Sequence, residues 1–514
     1  MITQVFTDQN NTVFGTYTPL RNTIRKANLT PSLRAIHAHI QHMLFGQPVP
    51  PYIRNTPIGY TNTSFNSTLD YLKFHIFPWE LELIAKELII HGALVGGEKT
   101  LEDWNYLVPI VNKLKNLEEE ISEIYSNTGN VLIEFYRIAH RQFIWQSRPG
   151  LENIARYWKI YSDPKLNEVI TKATGLTLDE LYLIALALTG TYLDKYALFY
   201  PPKIDVKNID QEHLDKFLKH FSLPINELRD RLSNEQRMNE KYAYAFNSLR
   251  AYPLIRMEYE GRDSIVCPIP PLLFRRITEG LYYEICKEPN FDSSFGNAFQ
   301  IFVGELLKKA NEKAQVIPER TYGKPEKRTV DWIVIDKSVL LFVECKGKRL
   351  TFEAKVSLTD TTELYRQLDI MANFIVQIYK TIVDYDDGKY PHLKFDKDKQ
   401  VYPLLVTLEE WFLFGSQALD ILDEKIRSKL NSLSISSKIL DDKPYMICSV
   451  EGLDLLMQVS SKYSIDEIFR DKNKDVETRT WHLEIYIKDK YKEAVSKIKP
   501  LFKEEFNNHM DFGL

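Results

Sequence analysis

The stretch 328–349, RTVDWIVIDKSVLLFVECKGKR, constrains the fold of this chain more than any other. Two apolar runs, 330–335 and 339–343, are rich in Val, Ile, Phe and Trp and flank the polar break Asp336-Lys337-Ser338. Runs of this length and composition around a short polar break predict a β-hairpin buried on both faces. Three charged residues lie inside or at the end of the runs: Asp331, Glu344 and Lys346.

Their spacing converts to geometry. Side chains alternate along a strand, so Glu344 and Lys346 share one face and Cys345 takes the other. If Lys337-Ser338 is a two-residue loop, Asp331 pairs directly with Glu344, with Cβ atoms roughly 4.5–5.5 Å apart on one face. Lys337-Ser338 is not the Asn-Gly type that would fix this register. Two carboxylates so close repel unless a positive charge lies between them. A hard divalent cation taking oxygen ligands at about 2.0–2.1 Å meets that need. Lys346 is then placed to polarise a water or to stabilise charge on a phosphate. The competing reading is a scaffold hairpin in which Lys346 only neutralises one acid. Asp331, embedded between Val330 and Trp332, weighs against it, because a buried acid is costly unless paired or metal-bound.

Asp331 followed by Glu344-Cys345-Lys346 at the end of the next hydrophobic strand resembles the PD-(D/E)xK nuclease superfamily. The surroundings are similar too. Gly296-Asn297-Ala298-Phe299-Gln300 resembles the opening of that superfamily's first core helix. Residues 362–378 read as the second core helix, with Gln367 where related nucleases often carry a polar active-site residue. Val330 stands in place of the motif's Pro, and Gln300 stands where the first helix often supplies Glu. The resemblance spans about residues 290–410 and implies a restriction-endonuclease-like mixed sheet.

The resemblance implies metal-assisted hydrolysis of phosphodiester bonds, with DNA as the first expectation and RNA as the alternative. Asp331, Glu344, Lys346 and Gln367 would carry catalysis. Mg²⁺ or Mn²⁺ would be held by Asp331, Glu344 and the backbone carbonyl of Cys345. Gln300, Glu305 and Glu319 are further candidates for the site. Glu305 is five residues past Gln300, which leaves it roughly 140° off that helix face. Glu319, near the end of the strand before the hairpin, could reach the site from the sheet instead. A role in prokaryotic defence follows by analogy alone. An interaction protein that keeps a nuclease-like fold without catalysis is the reading from another class. Gln300 supports it, and the intact Asp331, Glu344 and Lys346 oppose it.

The chain has 514 residues, which favours two or three domains. Its formal net charge of −4 offers nucleic acid no global basic field. Binding must therefore use local patches, here Lys324, Lys327, Arg328, Lys348 and Arg349 around the hairpin. The 4 cysteines are scattered with no CxxC pair, so neither a zinc ribbon nor a disulfide framework is indicated. With no basic-then-apolar layout in MITQVFTDQNN, a reducing cytoplasm is the expected compartment. The most apolar run, 181–188, is far short of the ~20 residues a membrane span needs, and reads as a buried core helix. No membrane association is expected. No Gly-rich phosphate loop of the P-loop type is present.

From residue 77 to about 250 the periodicity is helical. Pro78 opens one helix that Gly92 ends, and Thr100 starts another in capping-box style. His37, His39 and His42 lack an acid or Cys to complete a metal set and read as core or surface histidines. The pattern shifts at 249–267 to two short strands around Glu260-Gly261-Arg262, followed by Pro268, Pro270 and Pro271. The expected fold class is α+β or mixed α/β, with an all-helical N-terminal domain for recognition or assembly at 1–245 and a nuclease-like mixed-sheet domain with a C-terminal α/β extension at 246–514. The helical part would serve a protein partner or self-assembly. Helices are expected at 272–285, 297–314 and 488–506, and strands at 315–320, 401–408 and 444–450.

Overall fold

Pro78–His91 forms a helix with Pro at its first turn, and Gly92 follows it. Glu80 accepts the Phe77 backbone N–H at 3.2 Å, which satisfies one of the free donors at the helix start. This helix is buried nearly all round; Glu82 and Glu87 are bonded inside the fold, whereas the buried Lys86 Nζ has no hydrogen-bond partner. Glu87 accepts from Tyr17 at 2.8 Å, Gln236 at 2.7 Å and Tyr242 at 3.0 Å. The next helix, Trp104–Ser126, starts later than Thr100 predicts, because Asp103 rather than Thr100 receives an N–H of the first turn, that of Asn105 at 3.0 Å. The computed structural model describes residues 2–126, 131–145, 150–356, 362–413 and 415–510.

Four strands make the first sheet: β1 (Ala197–Phe199), β2 (Ser222–Pro224), β3 (Leu254–Tyr259) and β4 (Arg262–Val266). β2 runs parallel to β3, while β3–β4 and β4–β1 are antiparallel. β3 and β4 are the two strands predicted around Glu260-Gly261-Arg262. Their partners, however, come from before residue 245. The first part of the chain is therefore not all-helical, and the division near 245 runs through a sheet. The cores cross it as well. Leu181 and Phe217 share one apolar cluster with Leu306 and Leu341, and Leu33 and Leu88 share another with Leu249 and Met257.

The second sheet contains the hairpin. Its strands are β5 (Gln315–Pro318), β8 (Trp332–Asp336), β9 (Val339–Lys346), β10 (Gln400–Thr407) and β11 (Met446–Ser449), in that spatial order. A small ribbon, β6 (Thr321–Tyr322) with β7 (Lys327–Arg328), lies between β5 and β8 in the chain. β5, β8 and β9 pair antiparallel, and β9, β10 and β11 pair parallel. The mixed sheet expected after the hairpin is present. Parallel neighbours need crossovers, supplied by the helices Thr362–Asp386 and Gly415–Ser432.

Alternation assigns the two faces. Trp332, Val334, Leu341 and Val343 pack with Phe295, Phe299, Phe302 and Val303 of the helix Phe291–Ala310. Ile333, Leu340, Phe342 and Leu405 pack with Met371, Ile375 and Leu422 from the two crossover helices. At Gly304 a Cβ would lie 2.1 Å from the Trp332 ring, so only glycine permits this helix–strand approach.

Two predicted helices are broken. The span 272–285 divides at Thr278 into Pro271–Ile277 and Glu279–Ile285. The span 488–506 is three short helices, Leu483–Lys490, Lys492–Val495 and Lys503–His509, with Pro500 between the last two. Among the described residues no single helix is long and apolar enough to cross a membrane. In Leu178–Asp194 the apolar positions Leu181, Ile184, Ala185 and Leu188 are core. His37, His39 and His42 are buried and bonded to Tyr192 O, Tyr60 OH, and the carbonyls of Gln47 and Tyr60.

Candidate active site

Lys337-Ser338 close a two-residue hairpin between the paired residues Asp336 and Val339, and Lys337 takes a positive φ of 45° to do so. The register runs from there to Trp332–Val343. One step beyond that rung, Asp331 stands opposite Glu344. On the other side β5 pairs Pro318 with Trp332, and the Glu319 N–H donates to the Asp331 carbonyl at 2.8 Å. Glu319, Asp331 and Glu344 therefore form one row across three strands, on the face covered by Thr362–Asp386.

Asp331 Oδ2 accepts the Cys345 backbone N–H at 2.7 Å. Lys346 Nζ donates to Glu344 Oε1 at 2.6 Å and lies 4.9 Å from the centre of the Phe374 ring on the covering helix. Glu344 is 2% exposed, and its Oε2 has no hydrogen-bond partner. Burial pushes both the Asp331 and Glu344 carboxyls upward, and their mutual charge raises Glu344 further. Glu319 adds repulsion to both, while Lys346 opposes it. Burial raises the pKa of the Cys345 thiol well above the ordinary range. This residue's backbone N–H holds Asp331 Oδ2, and its side chain also bonds that carboxylate.

Gln367 is fully buried on the sheet-facing side of Thr362–Asp386. Its Nε2 donates to Glu363 Oε1 at 2.7 Å, and its Oε1 has no hydrogen-bond partner. The other sequence candidates separate. Gln300 lies on Phe291–Ala310, across the sheet from the acids, and its backbone carbonyl accepts Trp332 Nε1 at 3.0 Å. Glu305 pairs with Lys159 at 3.1 Å, so it belongs to a helix–helix contact rather than to the site. Glu319 is in the row but also approaches Arg328 at 3.4 Å.

Among the basic candidates, Lys324 and Lys348 are exposed. Lys327 Nζ donates to Asp384 at 2.7 Å, and Arg328 Nη1 approaches Glu319 at 3.4 Å. Arg349 departs from the expected phosphate contact. It is 9% exposed, its Nε donates to Glu409 Oε2 at 2.9 Å, and its guanidinium lies against Tyr282 and Tyr283. Lys355 donates to the same carboxylate at 2.6 Å. Arg349 is an internal clamp between the chain leaving β9 and the chain leaving β10.

Sequence reasoning missed Glu363 and Glu409. Glu363 had a readable signal, an acid one helical turn before Gln367. Glu409 had none, since its partner is 60 residues away in the chain.

Among the described residues no group of three or more His, Cys, Asp or Glu is arranged to hold a metal ion. The residues present do fit an ion that relies on few protein ligands. Mg²⁺ keeps several waters and needs only one or two carboxylates. Asp331 and Glu344 are two adjacent desolvated carboxylates, and one buried oxygen lacks a donor. No family model, curated protein or solved structure matches this chain.

Proposed function

We propose that this chain is a metal-dependent nuclease that hydrolyses phosphodiester bonds, with DNA as its expected substrate. The observation that carries the reading is the antiparallel register that sets Asp331 opposite Glu344, with the Lys346 ammonium on Glu344. The element order supports it. The helix Phe291–Ala310, the antiparallel strands β5, β8 and β9, the helix Thr362–Asp386 and the parallel strand β10 follow one another as the resemblance to the PD-(D/E)xK superfamily implies.

Asp331 and Glu344 are the residues to hold Mg²⁺ or Mn²⁺. When bound, such an ion supplies Lewis acidity and screens phosphate charge. The Cys345 N–H fixes the orientation of Asp331. Lys346 sits in a partly desolvated position from which its ammonium can pair with a phosphate oxygen or orient a water. Gln367 offers a buried carbonyl oxygen as acceptor. Exposed Lys324 and Lys348 can hold the phosphate backbone without reading sequence.

The test is incubation with plasmid, linear and single-stranded DNA and with RNA, with and without Mg²⁺ or Mn²⁺, beside the Asp331→Ala protein. Metal-dependent cleavage lost in the variant is expected. An inactive wild type on every substrate overturns the reading. A second reading, a nucleic-acid-binding protein without catalysis, is favoured because among the described residues no three His, Cys, Asp or Glu side chains are arranged to hold a metal ion. It predicts binding without cleavage and no rise in Tm with Mn²⁺, whereas a native-state metal site raises Tm.

A further inference from the structure

Glu363 lies one helical turn before Gln367 and gathers several donors. Its Oε1 accepts Gln367 Nε2 and Thr351 Oγ1, each at 2.7 Å. Arg366 donates to Oε2 from Nε and to Oε1 from Nη2, each at 2.7 Å. An amide side chain has a donor end and an acceptor end. With Nε2 held by Glu363, the carbonyl oxygen is the free end. Rotating the amide would set that oxygen against a carboxylate, so Glu363 dictates the orientation.

The freed oxygen is not in solvent. Gln367 is 0% exposed, and its Oε1 has no donor. Leaving a buried acceptor unpaired is unfavourable, and the Glu363 contact enforces it. Gln367 sits two turns before Phe374 on one stripe of the helix, and Phe374 lies beneath Lys346. Glu344 Oε2 is a second buried acceptor without a donor, on the sheet face that this helix covers. A water between sheet and helix has the hydrogens that such acceptors lack. Thr351, on the chain leaving β9, binds the same Glu363 oxygen and ties the end of the Lys346 strand to the helix.

We propose that Glu363 is a positioning residue that locks the Gln367 amide so that its carbonyl oxygen receives a hydrogen of the attacking water. This inference rests on the nuclease reading. Glu363 acts on the reaction through Gln367 and not by contact with substrate or ion.

The test compares wild type, Glu363→Gln and the exchange Glu363→Gln/Gln367→Glu. In Glu363→Gln both amides can rotate, and the Gln367 donor end can face the site. The expected result is a fall in kcat of about tenfold, within the range of one general acid–base or water-orienting contact, with KM and Tm unchanged. The exchange variant restores donor and acceptor in swapped positions, returns a free oxygen to the site and recovers kcat over the single variant. A wild-type kcat in Glu363→Gln, a loss confined to KM or Tm, or an exchange variant no better than the single one overturns the proposal. A readout independent of cleavage separates its failure from that of the nuclease reading. The ¹⁵N-labelled side-chain amide of Gln367 should exchange hydrogen slowly in wild type and fast in Glu363→Gln. Fast exchange in both overturns the positioning role, whatever the protein cleaves.

Discussion

The Cys345 backbone N–H donates to Asp331 Oδ2 at 2.7 Å, so the strand that carries Glu344 also holds the aspartate in place. The two carboxylates are thus oriented by one rigid hairpin rather than by loops. Asp331→Ala and Glu344→Ala should each reduce metal-dependent cleavage by about 100-fold or more, and the double variant should be hardly worse than either single one. Cleavage assays with matched circular dichroism check this. Additive losses would separate the two residues.

Gln300 was a candidate for the site because of its place on the first helix, yet that helix covers the Trp332 face and the acids lie on the other. Gln300→Glu should leave the Mg²⁺ dependence of cleavage as in wild type. A shift of the Mg²⁺ midpoint to lower concentration would return this residue to the site.

Arg349 and Lys348 are adjacent, with opposite roles expected. Arg349→Ala should destabilise by about 3 kcal/mol, because the buried Arg349 is one of the two cations that hold half-buried Glu409. Lys348→Ala should leave the urea midpoint unchanged and lower the slope of log Kobs against log salt by about 1. Urea unfolding and binding titrations at several salt concentrations separate them; the reverse assignment of effects would reject the clamp.

Limited proteolysis should not divide the chain near residue 245. β1 and β2 precede that point, β3 and β4 follow it, and all four share one sheet. Two persistent folded fragments meeting near 245 would contradict this arrangement.

Burial pushes the Glu80 carboxyl up to about 7 from its ordinary 4.5, against the opposing pull of Lys115 at 3.5 Å. Between these values the folded protein retains a proton that the unfolded chain has released. The associated stability is complete below pH 4.5 and is lost as the pH rises through 7. Glu80→Gln should flatten this part of the stability profile, measured as urea midpoints from pH 4.5 to 8. An unchanged slope would place the proton elsewhere.

Local chemistry alone determined the hairpin. Two continuous apolar runs, a short polar break and an acid at each end define β8 and β9, because strand alternation acts over a few residues, while the Asp331–Glu344 pairing was settled only when Lys337-Ser338 closed as a two-residue loop. The same holds for Pro78–His91, whose start and stop residues are contiguous with its apolar pattern. Only the tertiary structure decided the partners of β1 and β2. Each is three residues long, too short to show a period, and each pairs with a strand that lies on the other side of residue 245. The roles of Arg349 and Gln367 were decided in the same way. An arginine in a basic run is indistinguishable from a surface cation until the fold brings Glu409 to it from 60 residues away. Gln367 was legible as a polar residue on a helix, but which end of its amide is free depends on Glu363 and on burial, and burial exists only once sheet and helix have packed.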